Sequence, residues 1–103
     1  MQFCPWYPLA DAARHAPVGE GVLQLKLAAG LLDYPLGKSA MVHYEHAADT
    51  RTAAIALAAR LVGLDLMCRH LEIAADGAVD PQAIHGKVLG EFVRRFGVPP
   101  KLP

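Results

Sequence analysis

Gly21-Val-Leu-Gln-Leu-Lys-Leu-Ala28 decides the fold class, because its alternation has one structural meaning. Leu23, Leu25 and Leu27 share one side of an extended chain, and Gln24 and Lys26 share the other. Such a period of two is a strand with one face on a core. Gly30, Pro35 and Gly37 then punctuate a loop. Ala40-Met-Val-His-Tyr-Glu-His46 resumes extended structure, so the two runs read as antiparallel neighbours joined by a long connection.

Downstream, Asp49 or Thr50 can cap a helix running to about Val62, with Gly63 at its C′ position. The interior Ala53-Ala-Ile-Ala-Leu-Ala-Ala59 is almost wholly apolar, which predicts burial on more than one side. A third strand is expected over 64–74, with its alternation slipping near Cys68–His70. Asp76-Gly77 is a turn signal. Asp80 caps a second helix with Pro81 at N1, and Ile84, Val88, Phe92 and Phe96 form its apolar stripe. Gly97 and Pro99-Pro100 end it.

Upstream, Leu9–Ala16 can form a short helix stopped by Pro17, after an aromatic and proline-rich opening. The fold class is therefore α+β: a small three-stranded, mainly antiparallel sheet packed by helices, in the order (α)-β-β-α-β-α. Residues 1–20 form an N-terminal arm with its short helix, and residues 21–100 form the core of a single domain over 1–103.

A chain of 103 residues is long enough for one continuous core. Its hydrophobic fraction is 53% and its charged fraction 19%, which argues against disorder and for a full interior or a covered face between copies. No apolar run has the length of a membrane span, and the N-terminus lacks the pattern of a secretory signal. Cys4 and Cys68 lack metal or redox spacing, so a reducing cytoplasm is expected. Ten basic and ten acidic residues balance, without the positive excess of a dedicated non-specific nucleic-acid binder, which weakens any nucleic-acid reading without excluding it.

Several residues invite chemistry. Gly37-Lys-Ser39 looks like the end of a phosphate-binding loop, but Leu32 stands where that loop needs glycine. His43-Tyr-Glu-His46 splits its imidazoles between two strand faces, which is not a zinc pair. Cys68 and His70 share a face at i,i+2, without an orienting carboxylate. Arg94-Arg95 suits a helix C-terminus, or a basic patch with Lys87 and Lys101. Glu91 sits beside the apolar stripe, where a carboxylate turned to the sheet would be a metal ligand or an acid/base group.

The element order resembles the GIY-YIG nuclease-like domain. Gly21-Val22-Leu23 is similar to a degenerate first motif, and His43-Tyr44-Glu45 occupies the place of the second. Arg51 lies early in the next helix, where the family keeps an arginine, and Glu91 lies on a later helix, where it keeps a metal-binding glutamate. The resemblance implies Tyr44 or His43, Arg51 and Glu91 around a scissile phosphate, with Mg²⁺ or Mn²⁺ on Glu91 if the domain cleaves DNA. Leu23 replaces the first motif's tyrosine and Glu45 the second motif's glycine. The resulting expectation is a non-catalytic binding or interaction module for nucleic acid or a protein partner. The alternatives are an active metal-dependent endonuclease, and a structural domain that docks or homodimerises through Trp6 and Tyr7.

Overall fold

A computed structural model describes residues 2–74 and 77–103. The expected Asp76-Gly77 turn therefore lies partly outside the described residues. Two short strands open the chain, β1 (Gln2–Phe3) and β2 (Tyr7–Pro8), and the strand read from Gly21 runs as β3 (Gly21–Leu27) inside the sheet. A small hairpin, β4 (Leu32–Tyr34) and β5 (Gly37–Ser39), precedes β6 (Met41–Ala47), and β7 (Leu66–Glu72) follows later. The helices are α1 (Ala12–His15), entered through a 3₁₀ turn at Leu9–Asp11, then α2 (Thr50–Arg60) and α3 (Pro81–Phe96).

The three long strands lie in the order β7-β3-β6, all antiparallel. The sheet has five strands rather than three, because β1 and β2 both add to the outer edge of β7. The segment read as plain loop holds the β4–β5 hairpin, a separate two-stranded sheet. β3 and β6 are in register from Gly21↔Ala47 to Leu25↔His43, then Lys26 faces Met41 and Val42 bulges out as the extra residue.

Strand alternation sorts the side chains onto two faces. Leu23, Leu25 and Cys68 meet Ala54 and Leu57 of α2 in one cluster, which also holds Val42 and Leu66. The arm supplies Tyr7, Leu9, Ala12 and Ala16 to the same cluster, so it is part of the core. α3 covers the opposite face, where Phe92 is buried and stacks edge-on against Tyr44 at 5.7 Å.

The two helix starts match their sequence signals. The Asp49 carboxylate accepts from the Thr52 N–H at 3.0 Å, and Asp80 accepts from the Gln82 N–H at 3.1 Å ahead of Pro81. Gly97, in the left-handed region at φ 95°, closes α3. Gly21 answers a different need: a Cβ there would overlap the Thr50 hydroxyl, which donates to the Gly19 carbonyl at 2.8 Å. The expectation for α2 needs correction. It ends at Arg60, only Thr50, Ala54 and Leu57 are buried, and Ile55 is 44% exposed. Its apolar outer side faces outward rather than into a second layer.

Candidate functional site: a polar cleft between α3 and the sheet

On the α3 face, the register lines up Tyr44, Gln24 and Arg69 as one row across β6, β3 and β7. Gln24 sits in the middle of this row at 2% exposure, in a strand otherwise read as apolar on its other side. Its amide oxygen accepts from Arg69 Nε at 2.7 Å, which fixes the guanidinium plane. The arm supplies the other support: the Arg69 guanidinium lies over the rings of Trp6 at 4.4 Å and Phe3 at 4.9 Å. Trp6 also carries Lys26 Nζ at 4.5 Å.

Beside this row opens a cleft of about 330 Å³, lined by Tyr44, Arg69, Glu91, Arg95, Phe92 and Phe96 among others. Partial burial lowers the Arg69 pKa from the usual guanidinium range, yet an arginine remains charged. Among the described residues, no carboxylate forms an ion pair with it. Burial pushes the Tyr44 phenol up to about 12, with the Arg69 charge opposing and Tyr34 and Glu91 adding to the rise. Tyr44 is therefore a protonated hydroxyl at neutral pH, a hydrogen-bond donor rather than a base.

The residues singled out from the sequence are only partly brought together. Tyr44 and Glu91 line this cleft. His43 does not, because alternation turns it to the other face, where its Nε2 lies 2.8 Å from Glu45 Oε1. Arg51 is placed elsewhere too: at the start of α2, its Nε donates to the Ala16 carbonyl at 2.7 Å. The arginine of the cleft is Arg69, with Arg95 from the Arg94-Arg95 pair. The sequence carried a signal for Arg69 in the interrupted alternation of Cys68–His70, where a charge follows the apolar run Leu66-Met-Cys68.

Glu91 is the one carboxylate of the cleft lining; the polar groups around it are two guanidinium groups, a phenol and a carboxamide. That donor set repels a divalent cation more than it holds one, so a resident Mg²⁺ or Mn²⁺ does not fit. Among the described residues no group of three or more His, Cys, Asp or Glu could hold a metal ion.

The other motifs resolve into local structure. Gly37-Lys-Ser39 is the β5 arm of the hairpin, where Lys38 pairs with Asp33 at 3.5 Å in solvent. His70 does not serve Cys68; its Nδ1 lies 3.0 Å from the Tyr7 hydroxyl and 3.3 Å from Cys4 Sγ. Burial raises the Cys4 thiol, pushes Cys68 to about 11, and lowers His70, so all three are neutral near pH 7. No thiolate–imidazolium pair forms. Tyr7 is 6% exposed, and Trp6 is engaged by Lys26 and Arg69, so neither stands free as a docking anchor.

Comparison of the chain with family models, with curated proteins and with solved structures finds no match. Among the described residues no helix is long and apolar enough to cross a membrane.

Proposed function

We propose that the chain is a non-catalytic binding module whose α3 cleft takes a phosphate-bearing partner, with single-stranded nucleic acid as the first candidate. The observation that carries this reading is Arg69: a part-buried cation, oriented by Gln24 and clamped by two aromatic rings, with no carboxylate partner among the described residues. Half-buried charges are normally paired, so the free edge of this guanidinium is a seat for an anion. Arg95 adds a second positive group, and the part-buried Phe96 gives the cleft an apolar wall for an unpaired base. The balanced net charge weighs against general nucleic-acid binding, so the proposal rests on this one localised pair of arginines.

The test is anisotropy of a fluorescein-labelled single-stranded oligonucleotide. Two phosphate contacts give a slope of about −1.4 in log affinity against log salt. Arg69→Gln is expected to lose about tenfold in affinity, the effect of one charge-assisted contact. Equal affinity in the variant, or a flat salt response, overturns the assignment.

A second reading has one specific observation behind it: Tyr44 and Glu91, two groups implied by the GIY-YIG resemblance, line the same cleft as Arg69. An endonuclease would then use Arg69 in place of Arg51. It ranks second because the Tyr44 phenol stays protonated near neutral pH and the cleft lacks a cation-binding donor set. Plasmid cleavage with Mg²⁺ or Mn²⁺ that disappears in Glu91→Ala would promote it. A reducing cytoplasm is the proposed compartment, because two cysteines without CxxC spacing are too few for a disulfide framework.

A further inference from the structure

The two edges of the sheet are finished differently. The outer side of β7 is covered by β1 and β2, whereas β6 pairs with β3 alone among the described residues. Only its first residue is capped: the Met41 N–H donates to Ser39 Oγ at 3.1 Å, and the Met41 carbonyl accepts from the Tyr34 hydroxyl at 2.6 Å. From His43 to Ala47 the edge carries no proline and no lysine, the usual guards of an open edge. It is a template for another strand.

The sequence of this edge selects its partner. Two copies of β6 meeting antiparallel about a two-fold axis must place residues of the same face opposite each other, so the axis passes through a residue. An axis through Glu45 sets two carboxylates face to face, and one through His43 sets two imidazoles together. An axis through Tyr44 sets His43 opposite the copy's Glu45, twice by symmetry. His43 and Glu45 already hydrogen-bond within one strand at 2.8 Å, with side-chain exposures of 23% and 34%. They therefore stand half-open and close together, ready to form a four-membered His–Glu cluster across the axis. Below them, a groove of about 360 Å³ continues from β6 onto Thr52, Ala53 and Ala56 of α2, small side chains that leave room for the copy. The exposed Ile55 lies on the same helix.

We infer that β6 pairs with β6 of a second copy of this chain, in the register centred on Tyr44. The pairing uses backbone groups of the edge and side chains of the α2 face, so it leaves the cleft under α3 open. One short strand edge and a few small side chains are a small contact, at the weak end of specific interfaces, so the dimer is sought at micromolar concentrations and above.

Sedimentation velocity from about 1 to about 500 µM spans that range. The wild type is expected to pass from monomer to dimer. His43→Glu sets carboxylates opposite one another and is expected to weaken the dimer about tenfold, and His43→Glu with Glu45→His restores the pairs and returns the affinity to within about threefold. Hydrogen exchange of the wild type gives an independent reading, since amides between His43 and Ala47 should gain protection as concentration rises. A monomer throughout the range, a dimer indifferent to His43→Glu, or edge amides unchanged in the dimer overturns the inference.

Discussion

The two faces of the sheet are built from the same strands and do opposite things. Under α2, Leu23, Leu25, Val42 and Cys68 are fully buried, and the arm closes over them with Leu9 and Ala12. Under α3, the middle of each strand contributes a polar group instead, Tyr44, Gln24 and Arg69 in one row. A solely stabilising face would not spend its centre on a carboxamide and a guanidinium, since apolar residues of similar volume pack there at least as well. The contrast teaches that the dry core is concentrated on one face, and that the other holds the polar row on which the proposed binding rests. Trp6 and Phe3 then act as the mortar that makes a cation tolerable next to the core.

The strongest way to break this division is to find the wrong face controlling stability. Leu25→Ala, in the dry face, is expected to cost about 3 kcal/mol in urea unfolding, as a fully buried leucine leaves a cavity. Arg69→Gln, in the polar face, is expected to cost about 1–2 kcal/mol, because two cation–π contacts are lost while the carboxamide can still donate to Gln24. Its effect should appear in oligonucleotide affinity instead. Comparable destabilisation by both would mean that the polar row is a structural device and not a site.

Which parts of this were legible in the sequence follows from the range of the interactions involved. β3, the Asp80-Pro81 start of α3 and its Gly97 stop are local patterns, and they stand where the residues indicated. β1 and β2 are two residues each, too short for any periodicity, and exist only because β7 offers an edge. The β4–β5 hairpin hides for the same reason among glycines and a proline. The cleft was half legible. Tyr44 and Glu91 were singled out, but Arg51 was placed by counting to the next helix, and that helix crosses the other face of the sheet. Arg69 reaches the cleft through the pairing of β3 with β7, a long-range register that no local window contains. The outward apolar side of α2 could not be read either, because composition says how much surface wants cover and not where the cover comes from.

A smaller effect separates the helices of the two faces at their starts. Asp49 caps α2 with three hydrogen bonds, accepting from the Thr52 hydroxyl at 2.6 Å, the Gly19 N–H at 2.6 Å and the Thr52 N–H at 3.0 Å. These bonds, the Thr52 hydroxyl first, lower its pKa from 3.8 to about 2. A carboxyl held lower in the folded chain contributes stability that is complete above the unfolded value and disappears as pH falls through the folded one. Acid unfolding should therefore show a loss between about pH 4 and pH 2 that Asp49→Asn lacks, since a carboxamide can still cap without titrating. An identical acid limb in the variant would place the acid sensitivity elsewhere in the chain.

The smallest expected effect is also the most discriminating for the polar face, because its sign differs between the two readings. Glu91 is exposed at the mouth of the cleft and raises the Tyr44 pKa by its charge, so it is felt inside. If the cleft seats an anion on Arg69 and Arg95, Glu91 repels that anion through a screened medium, and Glu91→Gln should tighten oligonucleotide binding two- to three-fold at low salt, roughly the worth of one surface charge. If Glu91 is instead a metal ligand, the same substitution removes the cation that bridges protein and phosphate, and binding in Mg²⁺ weakens. Measuring the variant with and without Mg²⁺ separates the two, since a gain independent of metal requires that Glu91 act only as a negative charge. A loss confined to Mg²⁺ would move the polar face from recognition to catalysis, and the contrast between the two faces would become one between scaffold and active site.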